Sequence, residues 1–313
     1  MTALKIFAPG GFTTVQDRGR FGFQQMGVPV SGALDLFAFQ VGNLLVGNQD
    51  TCAGLEITVM GPKIEILKEM DIALTGAKMA MTLNDKPVEQ WTSIRVRPKD
   101  ILTISMVQQG CRAYLAVSGG IKVAKVMGSY ATYVGGKIGG FMGRPLQQGD
   151  ILETHGAVLL KIPRALPRKD IPKYPTHALI RVICGPQDHY FDMDASPLLG
   201  TPYMVTTKAD RMGYRLQGRA VPIKENMPKS IVSEPAMPGS IQIPPDEQPI
   251  ILLVEQTVGG YAKIATVIST DLPRVAQTTP GDIVQFEKID LASAHRLHRE
   301  ETQKFRRLKA FFG

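Results

Sequence analysis

Cysteine, histidine and tryptophan are scarce in this 313-residue chain, which has three Cys, five His and one Trp. Cys52, Cys111 and Cys184 lie far apart, too few and too scattered for a disulfide framework or a zinc site. They read as small buried hydrophobes in a reducing compartment. The histidines stand singly apart from His295 and His298, so no metal site is expected. Apolar runs such as Ile250–Val254 fall far short of the roughly 20 residues of a membrane helix. The opening MTALKIF runs into PGGF without a charged-then-apolar leader pattern. A cytoplasmic protein with no membrane association is the expectation. Also missing are the phosphate loop G-x-x-x-x-G-K-S/T, the nucleophile elbow G-x-S-x-G and the zinc helix H-E-x-x-H.

Negative charge is in deficit: 36 Lys and Arg face 28 Asp and Glu, a net +8. The excess is not a nucleic-acid stripe. Six bases (Arg296, Arg299, Lys304, Arg306, Arg307, Lys309) against Glu300 and Glu301 crowd into the last residues. Phe305 is the one aromatic among them, and no basic stripe interleaved with aromatics or recognition-helix signature is visible. No nucleic-acid partner is expected; the tail fits a solvated or acid-docking helix.

Hydrophobic residues make up 44% and charged residues 20%, with 31 Gly and 22 Pro. That composition suits many short strands joined by tight turns. Strands are expected at Leu55–Met60, Lys63–Leu67, Ile72–Leu74, Ser93–Val96, Ile101–Ser105, Arg112–Val117, Leu179–Cys184, Ser240–Ile243, Ile250–Glu255 and Ile283–Glu287. Gly61-Pro62, Asn84-Asp85, Gly185-Pro186 and Pro280-Gly281 punctuate them. A helix is expected over Leu34–Leu45, with Asp35 favouring its N-terminus, and another from Leu291 that sets Phe305, Leu308 and Phe312 on one face. The fold class is mainly β with a few helices. The stretch KIPRALPRKDIPKYPTH holds Pro163, Pro167, Pro172 and Pro175, a density that excludes ladder or helix. Domains are therefore expected at 1–165 and 179–313, joined by a linker at 166–178 and ending in the basic helix. Thr13-Thr14-x-x-Asp17-Arg18 recurs as Thr206-Thr207-x-x-Asp210-Arg211, which points to a duplicated unit.

Three segments concentrate polar chemistry. Gly11–Asp35 sets Gln16, Asp17, Arg18 and Arg20 among glycines and then reaches Ser31-Gly32. Glycine permits close backbone approach and Arg grips carboxylate or phosphate, but a structural Asp–Arg turn is an equal reading. Ala209–Gly218 brings Asp210, Arg211, Tyr214 and Arg215, followed by Ser233-Glu234. Glu255–Tyr261 places Gln256 and Thr257 directly after an apolar strand. Gly135–Gly140 is either an anion cradle or a mobile loop.

These segments carry a family resemblance. Thr14–Asp35 fills every fixed position of TVQDxGRxGxxxxGxPxSGxxD, and Asn43–Asn48, Leu55–Thr58, Arg112–Val117, Asp210–Leu216, Ile231–Glu234 and Pro238–Gln242 continue the match. The chain resembles the family of the 5-oxoprolinase C component, also called allophanate hydrolase subunit 2 or biotin-dependent carboxyltransferase. The resemblance implies two cyclophilin-like β-barrel domains and assembly with a B subunit, with an A subunit completing the reaction. It implies ATP, shared with the partner subunit, and Mg, used to activate 5-oxoproline for ring opening to glutamate. On that reading Asp17 and Glu234 are the catalytic acids, while Gln16, Arg20, Ser31, Asp210, Arg211, Tyr214, Gln256 and Thr257 bind substrate or phosphate. The resemblance also admits a carboxyltransferase acting on urea or a related amide, for which carboxybiotin arrives on another protein. A third alternative is a non-catalytic regulator of a histidine-kinase inhibitor. Where the family reads D-x-Q-T-T-G-G-Y this chain has Val254 and Val258, and where it reads G-S-R-S-T this chain has Tyr130-Ala131.

Overall fold

Alternating apolar residues and frequent turns produce sheet almost throughout. A computed structural model describes residues 2–156, 158–193 and 196–313. The chain divides into two compact units, Met1–Arg20 with Ser31–Tyr174 and Arg306–Gly313, and Phe21–Val30 with Pro175–Phe305.

The first unit contains β1 (Thr2–Ala8), β2 (Phe12–Gln16), α1 (Leu36–Leu45), β3 (Gly54–Thr58), β4 (Lys63–Ile66), β5 (Met70–Leu83), β6 (Lys86–Val88), β7 (Ile94–Val96), β8 (Ile101–Val117), β9 (Ile121–Lys122) and β10 (Ile151–Thr154). These strands join into one ten-stranded, nearly closed sheet around a core that includes Leu4, Ile6, Leu55, Ile57, Ile64, Leu74 and Leu115. Its backbone is the long antiparallel pair β5–β8, in register from Ile72↔Val117 to Leu83↔Leu102. The two expected strands Ile101–Ser105 and Arg112–Val117 are thus one strand. Three register shifts opposite Gly76–Met81 carry the ladder through the polar Gln108-Gln109-Gly110, whose composition hides the continuity.

A buried polar chain pins the start of α1. Asp35 caps the helix by accepting from Ala38 N at 3.0 Å. Tyr174 donates its hydroxyl to Asp35 Oδ2 at 2.7 Å, and Asp35 N donates to Tyr114 Oη at 2.7 Å. Tyr114 in turn donates to Glu56 Oε2 at 2.9 Å. Burial, then the Glu56 and Asp35 charges, push the Tyr114 phenol well above its ordinary range, so it stays a donor. The proline-rich stretch is stitched to this unit: Ser93 N donates to Arg164 O at 2.7 Å and Leu166 N to Trp91 O at 2.9 Å. Tyr174 anchors its far end.

The second unit is a closed barrel in the order β11 (His177–Cys184), β18 (Ala262–Val267), β15 (Ser240–Ile243), β16 (Ile250–Leu252), β13 (Gly213–Gln217), β12 (Pro202–Ala209) and β19 (Ile283–Lys288). Parallel pairing of β11 with β19 completes the circuit. Outside it stands a separate two-stranded ladder, β14 (Glu234–Pro235) with β17 (Val258–Gly259). Helices α2 (Leu272–Ala276) and α3 (Leu291–Phe312) follow. No helix among the described residues is long and apolar enough to cross a membrane. The architecture is mainly β with two barrel units, as the residue patterns and resemblance imply.

Removing the Tyr174 hydroxyl by Tyr174→Phe takes one donor from the buried Asp35 carboxylate. The expected cost is about 1–3 kcal/mol, read as a lower thermal midpoint. An unchanged midpoint would mean that the bond adds nothing to the fold.

Candidate functional site

In the first unit, β2 delivers Gln16, Asp17 and Arg20 to one place. Gln16 Nε2 donates to Thr14 Oγ1 at 3.0 Å and Thr132 O at 3.2 Å, while its Oε1 accepts Gly32 N at 3.1 Å. Asp17 Oδ1 accepts Gly19 N at 2.8 Å and Ser129 Oγ at 2.7 Å, and its Oδ2 accepts Tyr130 N at 2.6 Å. Arg20 is fully buried and donates from Nε to Val126 O at 3.0 Å and from Nη2 to Ala131 O at 2.8 Å. Burial lowers its pKa, opposed by the Asp17 charge. All three side chains therefore converge on the loop 126–132.

Ser31 joins this clamp through the backbone. It is buried in a left-handed conformation (φ 53), and a Cβ on the following Gly32 would lie 2.7 Å from Gly19 N. Arg20 Nη1 and Ser31 Oγ have no hydrogen-bond partner among the described residues. Gly139, within the glycine-rich stretch, packs on the same guanidinium: a Cβ there would collide with Ala131 O and sit 2.5 Å from Arg20 Nη2. Of that stretch Gly139 alone meets Arg20, while Gly135 and Gly136 pack on Tyr133 and Gly140 on Thr132. The departures at Tyr130 and Ala131 leave the clamp intact, because it uses their backbone N–H and C=O.

In the second unit, Asp210 is an exposed turn residue whose Oδ1 accepts Met212 N at 2.7 Å and Gly213 N at 3.2 Å. Arg211 Nε donates to Glu255 Oε1 at 2.6 Å, a buried ion pair. Tyr214 lies inside the barrel. Gln256 and Thr257 adjoin the β14–β17 ladder, Gln256 donating to Val258 O and Thr257 O accepting Ala236 N.

Glu234, at the start of β14, belongs to a fuller cluster. Its Oε1 accepts Lys263 Nζ at 2.6 Å and Gln187 Nε2 at 2.8 Å. Lys263 N donates to Gln187 Oε1 at 3.0 Å. Lys263 on β18 faces Gln242 on β15 across the ladder, and the two are only 3% and 4% exposed. Gln242 Nε2 has no partner among the described residues, and a Cβ on Gly259 would collide with it. The Glu234 side chain, 40% exposed, is the open end. Lys263, and then Gln187, hold its carboxyl below the usual glutamate range. One anion, one cation and two amides thus share a neighbourhood that can bind and orient a small polar group. Reading the sequence picked out Glu234, reached Gln242 only as the end of the Pro238–Gln242 segment, and missed Gln187 and Lys263. The one available signal was a lysine inside the apolar run Ala262–Val267.

Among the described residues no group of three or more His, Cys, Asp or Glu is gathered to hold a metal ion.

Comparison with known proteins shows what the chain is similar to. The family model "Carboxyltransferase domain, subdomain A and B" matches residues 26–288. The chain is 37% identical over 310 residues to the C component of 5-oxoprolinase from Escherichia coli, covering 97% of both chains. It is 34% identical over 320 residues to urea amidolyase of Lachancea kluyveri, covering 96% of this chain and 18% of that protein. The solved urea amidolyase of K. lactis superposes with a TM-score of 0.92 at 31% identity, over 98% of this chain and 20% of that one.

Asp17→Asn keeps shape but puts an amide NH2 where Tyr130 N or Ser129 Oγ donates. A loss of about 1–3 kcal/mol is expected in urea unfolding; full stability would show the clamp to be dispensable. For Glu234, a lowered folded pKa means its stabilising contribution is present above the ordinary glutamate value of about 4.3 and fades as pH falls through the lowered one. Lys263→Met should move the Glu234 titration upward in carbon-detected NMR, whereas an unmoved curve would deny the lysine that role.

Proposed function

Because the chain belongs to the family of carboxyltransferase domains of subdomains A and B, we propose that it serves as the C component of a 5-oxoprolinase. The observation that carries this reading is the match to a protein named as that component over 97% of both chains. A partner B subunit shares the activation step and an A subunit completes ring opening.

A lactam is a poor electrophile because nitrogen donates into its carbonyl. Transferring a phosphoryl group from ATP to the lactam oxygen releases ADP and makes the ring carbon electrophilic; water adds to that carbon, the C–N bond breaks as the nitrogen takes a proton, and hydrolysis of the resulting acyl phosphate releases phosphate and glutamate. Such a step needs a site that positions the amide and stabilises charge developing on its oxygen. In this chain Glu234 is the orienting, proton-handling acid, with Gln256 and Thr257 beside it and Arg211 held by Glu255. Asp17, Gln16, Arg20 and Ser31 act by holding the loop 126–132 in place, and Asp210 and Tyr214 by shaping the turn and barrel wall.

ATP and Mg find few of their usual holders here. The sequence has no phosphate loop, the described residues gather no metal-binding trio, and Lys263 and Arg211 already face carboxylates. The reading therefore gives ATP contact chiefly to the partner subunit, and no step is routed through the metal on this chain.

The test is to purify the chain together with its B partner and follow ATP turnover. Addition of 5-oxoproline should raise turnover several-fold, and Glu234→Gln should remove at least nine-tenths of that stimulation with the complex still assembled. Turnover indifferent to 5-oxoproline but raised by urea with carboxybiotin would move the chain to the carboxyltransferase reading.

A further inference from the structure

The basic surplus over Arg296–Lys309 has no part in the chemistry of the second unit's cluster. In the first unit the last turn of α3 lies beside the stretch 158–165, and the two enclose a groove of about 630 Å³. Leu159, Leu160 and Phe312 help to line it. Around them Val158, Ile162 and Phe311 stand 90%, 76% and 71% exposed. Three large apolar side chains opening to water around one concavity mark a surface that another molecule covers.

The walls of the groove are fixed. Leu308 and Phe312 are buried, and Lys309 Nζ donates to the buried Asp50 carboxylate at 2.7 Å. Leu160 N donates to Asp71 Oδ2 at 2.7 Å, and Arg95 Nη2 donates to Leu160 O at 2.6 Å. Arg164 N donates to Ser93 Oγ, and Ser93 N to Arg164 O, each at 2.7 Å. An incoming strand would find these backbone groups already bonded, so recognition falls to side chains.

Charge selects the occupant. Lys161 and Arg164 line the groove, and Arg307 stands one helical turn before Phe311. No Asp or Glu is among the described residues lining it. The carboxylates nearby are answered within the unit, Asp50 by Lys309 and Asp71 by Arg95. Arg164 meets only neutral groups, donating to Leu44 O at 2.8 Å and lying over the Phe312 ring at 5.9 Å. We propose that this groove docks an acidic amphipathic helix of a partner chain. Its apolar stripe covers Val158, Ile162 and Phe311, and its flanking carboxylates meet Lys161, Arg164 and Arg307. The helical period sets an apolar stripe beside a charged flank in this way. A concavity also fits a helix better than it fits the plane of a bilayer. The inference is independent of the 5-oxoprolinase reading.

Fluorescence anisotropy on the full chain tests it with a labelled helix of roughly 18 residues, leucine on one face and glutamate on the other. The controls are the same residues in scrambled order and a version with lysine for glutamate. The glutamate helix should bind, and both controls at least tenfold more weakly. Phe311→Asp and Ile162→Asp should each weaken it at least tenfold, and Arg307→Glu several-fold. Both apolar side chains are exposed, so the thermal midpoint should stay level; Ile162→Asp carries the test if Phe311→Asp fails to fold. No binding of the glutamate helix, equal binding of either control, or indifference to both aspartate variants would overturn the proposal. A dimer in sedimentation that Phe311→Asp dissociates would also overturn it, giving the groove to a second copy. Binding to phosphatidylserine–phosphatidylcholine vesicles that Phe311→Asp abolishes would overturn it in favour of a lipid surface.

Discussion

An ammonium group taken out of water between a β-barrel wall and a covering ladder costs several kcal/mol unless an anion meets it. Lys263 is in that position, and the second unit is arranged around the answer. Glu234 comes from a ladder that is not part of the barrel, and Gln187 comes from the loop after β11; both reach the same lysine. The consequence is a carboxylate that is fixed at one oxygen and open at the other.

The first unit spends its buried charges differently. Asp17 is saturated by one side-chain and two backbone donors, and Arg20 donates from Nε and Nη2 to two backbone carbonyls, so both hold a loop in place. The sequence echo between Thr13–Arg18 and Thr206–Arg211 has a physical counterpart. In each unit the aspartate Oδ1 accepts the N–H two residues ahead, Gly19 in one and Met212 in the other. The turn is common to both, but its fate differs. Asp17 is buried under Ser129 and Tyr130, whereas Asp210 faces solvent. One turn geometry thus serves two different environments.

Much of the fold was legible. Apolar alternation located β3, β4, β11, β15 and β19 to within a residue or two at each end, and Asp35 marked the start of α1. The long strand β8 was not legible as one element, because Gln108–Gly110 carries the composition of a turn while bulges opposite it keep the ladder continuous. Of the site, Glu234 and the Gln256-Thr257 pair were visible as polar residues beside a strand. Gln242 was visible only as the end of a family segment, and Lys263 was not visible. A lysine in a strand ordinarily points to solvent, and local sequence has no means of saying that this one is covered by the β14–β17 ladder.

By itself, the order of residues determined the mainly β class, the family, and the turns at Asp17 and Asp210, because these depend on short-range periodicity and on side chains bonding to their own backbone. Tertiary structure alone decided which charges are buried and who answers them: Arg20 under Gly139, Arg211 against Glu255, Lys263 against Glu234. Those pairings join residues far apart in the chain. Their energy depends on burial, a property of the packed barrels that local sequence does not contain.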